Sequence, residues 1–212
     1  MKGTKAMSLC HQLPNLFFSG LVMLGAGCAH THHLLELQPH TVGPYPPVAK
    51  SDLKIELRIT DDLRKAQCEW ELSGETWQLP LGPQFALNSE ALARHLFSDV
   101  VVKNSADAQP DAGADAVLVP RLVTVDRAAG MSAFSESKIS GALEWSLKSA
   151  KGDIVWIDTI KGEGKNKTGT LFVYKEHMRE GARMMLTDVF NKSFQAMSSS
   201  PEIRDFAASR KK

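Results

Sequence analysis

Two short segments carry the residue types that serine-dependent acyl transfer requires. Ser135-Glu136-Ser137-Lys138 fits the Ser-x-x-Lys pattern of serine β-lactamases, and Lys167-Thr168-Gly169 fits their Lys-Thr-Gly pattern. The two segments start only 32 positions apart, and no Ser-Asp-Asn element lies between them. A catalytic fold of that type needs a far longer chain between the motifs, so we interpret both matches as coincidental.

Other catalytic patterns are also not found in the sequence. It contains neither a Gly-x-Ser-x-Gly nucleophile elbow nor a His-Glu-x-x-His zinc motif. Gly164-Lys165 does not complete a phosphate-binding loop, because Thr159 stands where the first Gly belongs and Asn166 stands where Ser or Thr should follow. We therefore predict that the protein is not an enzyme and uses no cofactor.

Histidines near the start of the chain raise the question of a metal site. His30-Thr31-His32-His33 places three imidazoles close together, as a divalent cation could require. The cluster lacks Cys or carboxylate ligands at a recognised spacing. On a flexible tether it also has no neighbouring groups to orient the imidazoles, so a polar spacer is the preferred interpretation. His95 and His177 fall on predicted helices, where we expect surface or boundary positions. We predict no metal site.

The tryptophans are the candidate binding residues. All of them fall on predicted hairpins: Trp70, Trp77, Trp145 and Trp156. A pair on facing strands can pack across the ladder, so core packing is the first interpretation. A partner-binding surface is the alternative, because Trp is enriched in the residues that dominate binding energy.

The first 28 residues have the three-region layout of an export signal. Lys2 and Lys5 form a positive start, residues 16–24 (LFFSGLVML) an apolar centre, and Gly25-Ala26-Gly27 a run of small residues before Cys28. The apolar centre is too short to cross a hydrocarbon core about 30 Å thick, which needs about 20 residues. The segment therefore predicts export and not a permanent membrane helix.

The end of this signal, Leu24-Gly25-Ala26-Gly27-Cys28, resembles the lipobox of bacterial lipoproteins. In those proteins the Cys thiol is acylated, for example with palmitate, and the chain is cut just before it. The resemblance implies a lipid anchor on Cys28. Ala29 stands where an Asp would retain a bacterial lipoprotein at the inner membrane, which implies the periplasmic side of the outer membrane. An ordinary secretory signal cut nearby has the same layout and stays open as the alternative.

Composition and charge are those of an ordinary globular domain. Hydrophobic residues make up 43% and charged residues 23% of the 212 residues. The formal net charge is +1, and it becomes −1 once residues 1–27 are removed, so nucleic acid is not an expected partner. Cys10 leaves with the signal and Cys28 carries lipid, which leaves Cys68 without a partner for an internal disulfide.

The chain divides into four parts on this interpretation. Residues 1–27 form the lipoprotein signal peptide, and residues 28–51 form a lipidated tether in which Gly43-Pro44-Tyr45-Pro46-Pro47 favours extended polyproline geometry. Residues 52–208 form a single domain, and residues 209–212 form a basic tail.

Hydrophobic periodicity and turn residues predict the elements of the domain. In chain order they are a strand at 53–60, a hairpin of 68–72 and 75–79, a helix from Asn88 or Ser89 to Ser98, a strand at 100–102, a loop at 105–114, a strand at 115–126 in which Pro120 forces a bulge or an edge, a hairpin of 139–147 and 154–160, a loop at 162–169, a long helix at 176–197 and a further turn at 202–206. This order predicts an α+β fold, with a mixed β-sheet that contains hairpins, helices packed on the sheet and a long C-terminal helix.

The end of the chain and the element order resemble a group of envelope lipoproteins. The terminal helix around Met185 to Phe190, followed by Ser200-Pro201-Glu202-Ile203-Arg204-Asp205-Phe206, is similar to the ending of the YajG-type lipoproteins. The strand and helix order is similar to that of the amino-terminal domain of TolB, of the curli-secretion lipoprotein and of penicillin-binding-protein activators. The LPS-assembly lipoprotein has a similar order and is a second possible family. The resemblance implies a protein that docks onto or regulates envelope machinery.

These inferences lead to one hypothesis and two alternatives. The sequence favours an outer-membrane-anchored, periplasm-facing lipoprotein that acts as a non-enzymatic binding or accessory module in envelope assembly, transport or cell-wall machinery, with an envelope protein as partner. The first alternative is a periplasmic carrier of a lipid or small apolar ligand, and a hydrolase is the less favoured one. An apolar cavity between sheet and terminal helix would favour the carrier, a polar cavity the enzyme, and an exposed strand edge or Trp patch the interaction module.

Overall fold

The computed structural model describes residues 32–104, 112–129, 136–167 and 174–210. The elements, in chain order, are β1 (His32–Leu34), β2 (Ser51–Arg58), α1 (Asp61–Arg64), β3 (Gln67–Leu72), β4 (Glu75–Pro80), α2 (Gly82–Leu96), β5 (Phe97–Lys103), β6 (Ala116–Ala129), β7 (Glu136–Ser149), β8 (Ile154–Lys167), α3 (Tyr174–Ser199) and α4 (Pro201–Arg210). The fold is α+β, as the sequence predicts.

The larger sheet has five strands in the order β5-β2-β6-β7-β8. β2 pairs in parallel with β5 and β6, while β6, β7 and β8 form an antiparallel meander. The pairing of β2 with β6 stops at Leu118, two residues before Pro120. Because proline has no N–H to donate, Pro120 lies where that side of β6 is no longer paired, as expected.

The smaller sheet has three strands in the order β1-β4-β3. β3 and β4 form the predicted hairpin around Ser73 and Gly74, which have φ of 55° and 80°. Trp70 lies directly opposite Trp77 in this ladder. Cys68, Trp70, Trp77 and Leu79 are buried on one face, whereas Glu69 and Glu71 are exposed on the other.

α3 lies against the larger sheet with almost no space between their backbones. A Cβ atom added at Gly164 would stand 1.8 Å from the carbonyl oxygen of Gly181, and one at Gly162 would stand 2.7 Å from the backbone nitrogen of Val189. Glycine on β8 therefore permits the close approach of helix and strand. The predicted loop at 162–169 is wrong over residues 162–167, because these residues continue β8 beneath α3.

The segment that precedes β2 belongs to the packed domain. We expected residues 28–51 to form a free tether, but β1 pairs in parallel with β4, and Leu35, Val42 and Tyr45 are buried. Asn88 of α2 accepts a hydrogen bond from the Val42 backbone N–H at 2.6 Å. The apolar side chains and the buried amide together hold this segment in place, so the tether prediction is wrong for the described residues 32–50.

Two helices differ from their predicted extents. α2 begins at Gly82, with a proline in its first turn, and not at Asn88 or Ser89. α4 is a ten-residue helix where we expected a single turn, and the Ser200 hydroxyl accepts a hydrogen bond from the Ile203 N–H at its start. Over the described ranges, no helix is both long and apolar enough to cross a membrane.

Candidate functional site

A row of aromatic side chains crosses the smaller sheet. His33 of β1 lies next to Trp77 of β4, and Trp77 lies next to Trp70 of β3. The rings of His33 and Trp77 stack with centroids 4.3 Å apart, and those of Trp70 and Trp77 are nearly parallel at 6.4 Å. The alternation of side chains along a strand puts all of these rings on the face that turns toward the larger sheet.

Residues from the larger sheet and from α3 complete this row. The guanidinium carbon of Arg127 lies 5.3 Å from the Trp70 ring centroid and 5.6 Å from that of Tyr174. Tyr174 meets Trp77 edge to face at 5.5 Å. The Lys175 ammonium lies 5.5 Å from the Trp77 centroid. We call His33, Trp70, Trp77, Arg127, Tyr174 and Lys175 the cation–aromatic cluster.

The cluster contains several buried polar atoms that have no hydrogen-bond partner in the structure. They are the indole nitrogens of Trp70 and Trp77, the Tyr174 hydroxyl and Nε of Arg127. Buried polar groups in native proteins are nearly always satisfied, so such a group calls for a specific explanation. Both indoles and the guanidinium can only donate, whereas the hydroxyl can also accept. The Tyr174 oxygen is thus an acceptor within the cluster, toward which Trp70 and Arg127 can donate.

Burial and the positive charge of Arg127 act in opposite directions on the pKa values of neighbouring side chains. Burial raises the pKa of the Tyr174 phenol, and the charge of nearby Arg127 opposes part of that rise. Burial likewise raises the pKa of the Cys68 thiol to about 11, again opposed by Arg127. Cys68 is therefore a protonated, buried thiol at neutral pH and is not an activated nucleophile. Arg127 is the charge that dominates the surroundings of both side chains.

Only two of the tryptophans proposed as binding residues belong to the cluster. Trp70 and Trp77 are 9% and 8% exposed, so they border the surface without forming an open patch. Trp145 is fully buried and donates a hydrogen bond to the Ser193 hydroxyl at 2.9 Å. Trp156 on β8 is 9% exposed, like Trp70, and packs in the same hydrophobic core without joining the cation–aromatic cluster.

Several other residues singled out in the sequence have no described position in the structure. Cys28, His30, Ser135 and the Thr168-Gly169 pair lie outside the described residues. Within the ranges that the structure covers, no group of three or more His, Cys, Asp or Glu residues is arranged to hold a metal ion.

Sequence reasoning did not identify Arg127, Tyr174 or Lys175 as candidates. Arg127 follows the predicted strand at 115–126, and Tyr174 and Lys175 precede the predicted helix at 176–197. Their only local signal is that they stand at element ends, and what brings them to Trp70 and Trp77 is the sheet topology.

A polar groove between β8 and α3 is the other concave surface with many charges. It encloses about 850 Å³ and is lined by Pro39, His40, Glu163, Lys165, Glu180, Arg183, Met184, Thr187, Asp188 and Asn191. Its charges largely compensate each other: Glu163 pairs with Lys138, Asp188 with Lys192, and Glu180 with Arg183. These ion pairs are solvent-exposed, so the groove is better explained as a solvated helix–strand margin than as a catalytic centre.

Comparison with known proteins gives structural neighbours only. No family model and no curated protein matches the sequence. A Xanthomonas campestris protein of the DUF330 family is similar at a TM-score of 0.48 and 11% identity, over 85% of this chain and 98% of that one. A minor lipoprotein from Acinetobacter baumannii is similar at a TM-score of 0.36 and 15% identity, over 74% of this chain and 93% of that one. The dodecameric PelC protein from Paraburkholderia phytofirmans is similar at a TM-score of 0.41 and 15% identity, over 76% of this chain and 95% of that one. Lipoproteins are thus among the neighbours, but likenesses of this size assign neither a family nor a function.

Proposed function

We propose that this protein is an outer-membrane lipoprotein, anchored through acylated Cys28 and facing the periplasm, that acts as a non-enzymatic accessory module of envelope machinery. The observation that supports the proposal is that the lipobox-like segment immediately precedes the folded domain in the sequence. Only residues 29–31 separate Cys28 from β1. A lipid on Cys28 would thus hold the folded domain directly at the membrane surface.

The packing of the domain supports a binding module over a carrier. α3 contacts the β8 backbone at Gly162 and Gly164, which leaves no space for an acyl chain along this contact. An apolar cavity beneath α4 encloses about 220 Å³ and is lined by residues such as Leu96, Met197 and Ile203. Pockets for drug-sized ligands measure about 300–1,000 Å³, so this cavity is small for a lipid.

The free edge of β8 indicates where a protein partner could dock. Asp188 of α3 accepts a hydrogen bond from the Glu163 N–H, and Lys192 donates one to the Lys161 carbonyl. These side chains shield part of the edge, as natural proteins do to prevent unwanted strand pairing. Ile154 and Ile157, at the other end of β8, are 63% and 52% exposed. We propose this apolar end of β8 as the contact with an envelope protein.

The first experiment is mass spectrometry of the protein purified from separated membrane fractions. We expect an amino-terminal peptide beginning with acylated Cys28 in the outer-membrane fraction, and no acylated peptide from Cys28→Ser. A mature end elsewhere without lipid would contradict the proposal.

A second experiment tests the partner surface in the native membrane. A photo-crosslinking residue at Ile157 should give a discrete protein adduct, whereas the same residue at Glu71, on the exposed face of the smaller sheet, should not. Equal crosslinking at both positions would refute β8 as the contact surface.

A further inference from the structure

We infer that β5 binds β5 of a second copy of this chain. The two strands pair antiparallel about a two-fold axis at Val101 and join the five-stranded sheets of both copies. Such pairing requires neither the lipid anchor nor the contact at β8, so it is separate from the proposed function. Three features of β5 support it: an open backbone edge, the direction of its outward hydrogen-bonding groups and the symmetric order of its side chains.

The backbone edge of β5 is open to another strand. Among the described strands, β5 pairs only with β2 and ends the larger sheet. At the other end of that sheet, Asp188 and Lys192 bind the backbone of β8 and shield it. On β5, Arg94 donates a hydrogen bond to the Val100 carbonyl at 3.3 Å, but a carbonyl oxygen can accept a second one. Val101 is 47% exposed, so a partner can reach the middle of this strand.

The pairing with β2 determines which backbone groups of β5 point outward. The Ile59 N–H donates to the Lys103 carbonyl at 3.0 Å, so the backbone groups of Lys103 point toward β2. Successive residues of a strand point in alternate directions, so the groups of Val101 also point toward β2. Those of Val100 and Val102 therefore point away from the sheet. Residues that face each other in this way exchange two hydrogen bonds in an antiparallel pair, so Val100 can pair with Val102 of a second copy.

This register determines which side chains meet across the two-fold axis. When Val100 faces Val102, the two copies of Val101 face each other, and Asp99 of each copy faces Lys103 of the other. Side chains of opposite charge that lie directly across a ladder attract each other. Each end of the paired strands therefore has one complementary pair of charges, and the middle has apolar contacts.

The charges favour a second copy over an unrelated strand. Charged side chains on an edge strand normally prevent pairing. Here Asp99 and Lys103 have opposite signs and stand at equal distances on either side of Val101, so an antiparallel copy of the same sequence complements both. Within the described ranges Asp99 forms no ion pair, although Lys54 lies opposite it on β2. The backbone allows this register, and the charges select it.

The test is disulfide cross-linking of the full chain, purified from membranes in detergent. In the inferred register the two copies of Val101 form a pair without mutual hydrogen bonds, with Cα atoms about 4.5 Å apart, which a disulfide can span. Val101→Cys should form a linked dimer about tenfold faster than Val123→Cys, because pairing raises the effective concentration of the thiols. Val123, on β6, is the matched control because its exposure is similar, at 42%. The unsubstituted chain gives the background from the native cysteines.

Charge variants in the Val101→Cys chain test the register. Asp99→Lys sets like charges against each other at both ends of the pair, and so does Lys103→Glu. Each variant alone should therefore cross-link about tenfold more slowly. A mixture of the two, carrying different tags, should recover the parent rate in mixed dimers, because both ends are then complementary. Circular dichroism reports whether each variant is folded.

Three outcomes would overturn the pairing of β5 with its copy. The first is equal cross-linking of Val101→Cys and Val123→Cys. The second is an undiminished rate in the folded charge variants, or a mixture that does not recover. The third is background cross-linking in the purified protein together with Val101→Cys adducts to another protein in intact membranes, which would assign this edge to a different partner.

Discussion

Replacing Gly164 with alanine tests the contact between α3 and the larger sheet. The new Cβ atom would stand 1.8 Å from the Gly181 carbonyl oxygen and 2.6 Å from the backbone nitrogen of Met185. Ordinary contacts between such atoms need about 3.5 Å, so helix and strand would have to separate by roughly 1.7 Å. Both obstructing atoms belong to the backbone, so neither can rotate away.

The energetic cost follows from this geometry. Overpacking of a well-packed core costs about 1–3 kcal/mol, and a clash between two backbones lies at or above the upper end of that range. Alanine would also restrict the unfolded chain, which stabilises the folded state by about 0.4–1 kcal/mol. We therefore expect Gly164→Ala to lower the free energy of unfolding by about 2–3 kcal/mol. For a domain of this size the melting temperature should fall by about 4–12 °C.

The assay is urea unfolding followed by tryptophan fluorescence, together with thermal unfolding followed by circular dichroism. Gly113→Ala is the matched control, because a Cβ atom there meets no atom within 4 Å. Its free energy of unfolding should lie within about 0.5 kcal/mol of the wild type. If Gly164→Ala were equally neutral, a gap would exist beneath α3, our packing argument would be refuted, and the carrier hypothesis would gain support.

Two further changes test other parts of the fold. Asn88→Ala removes the acceptor for the Val42 N–H and the donor to the His40 carbonyl, so the unfolding free energy should fall by about 2–3 kcal/mol and limited proteolysis should cut near residues 39–46; uncut protein of wild-type stability would contradict this role. Burial raises the pKa of Cys68 from 9.0 to about 11, so stability should be complete below pH 9 and fall as the pH rises toward 11, where the unfolded chain releases the proton first. Cys68→Ala should make urea midpoints less pH-dependent in this window, and an unchanged dependence would exclude the thiol as the cause.

The individual strands and the hairpins were predictable because their signals are local. The alternation from Leu53 to Thr60 and the Ser73–Gly74 turn predict β2 and the first hairpin, and both are present. Pairing between neighbouring segments needs only a turn and matching apolar faces. Residues 162–167 were wrongly predicted as a loop, because the reason for their strand structure is not local. Glycine there is used for the approach of α3, a contact with a segment outside the local sequence.

The attachment of residues 32–50 to the domain could not be predicted from the local sequence either. Its prolines and histidines indicate an extended spacer, and the segment after β1 contains neither helix nor strand up to residue 50. Its attachment depends on Gln84 and Asn88, which bind its backbone at His40 and Val42 from α2. No local pattern could show this, because the partners lie more than 40 positions away along the chain.

The sequence by itself determined the order of most strands and helices, though not β1 or α1, because periodicity and turn residues act between near neighbours. It also supplied the lipobox-like segment from which we predict the anchor. Only the tertiary structure decided which tryptophans lie beside charged side chains. The hairpin places Trp70 beside Trp77, but the larger sheet and α3 bring Arg127, Tyr174 and Lys175 to them. A cluster assembled from four distant segments depends on how sheets and helices pack, and that packing follows from burial of the whole apolar core.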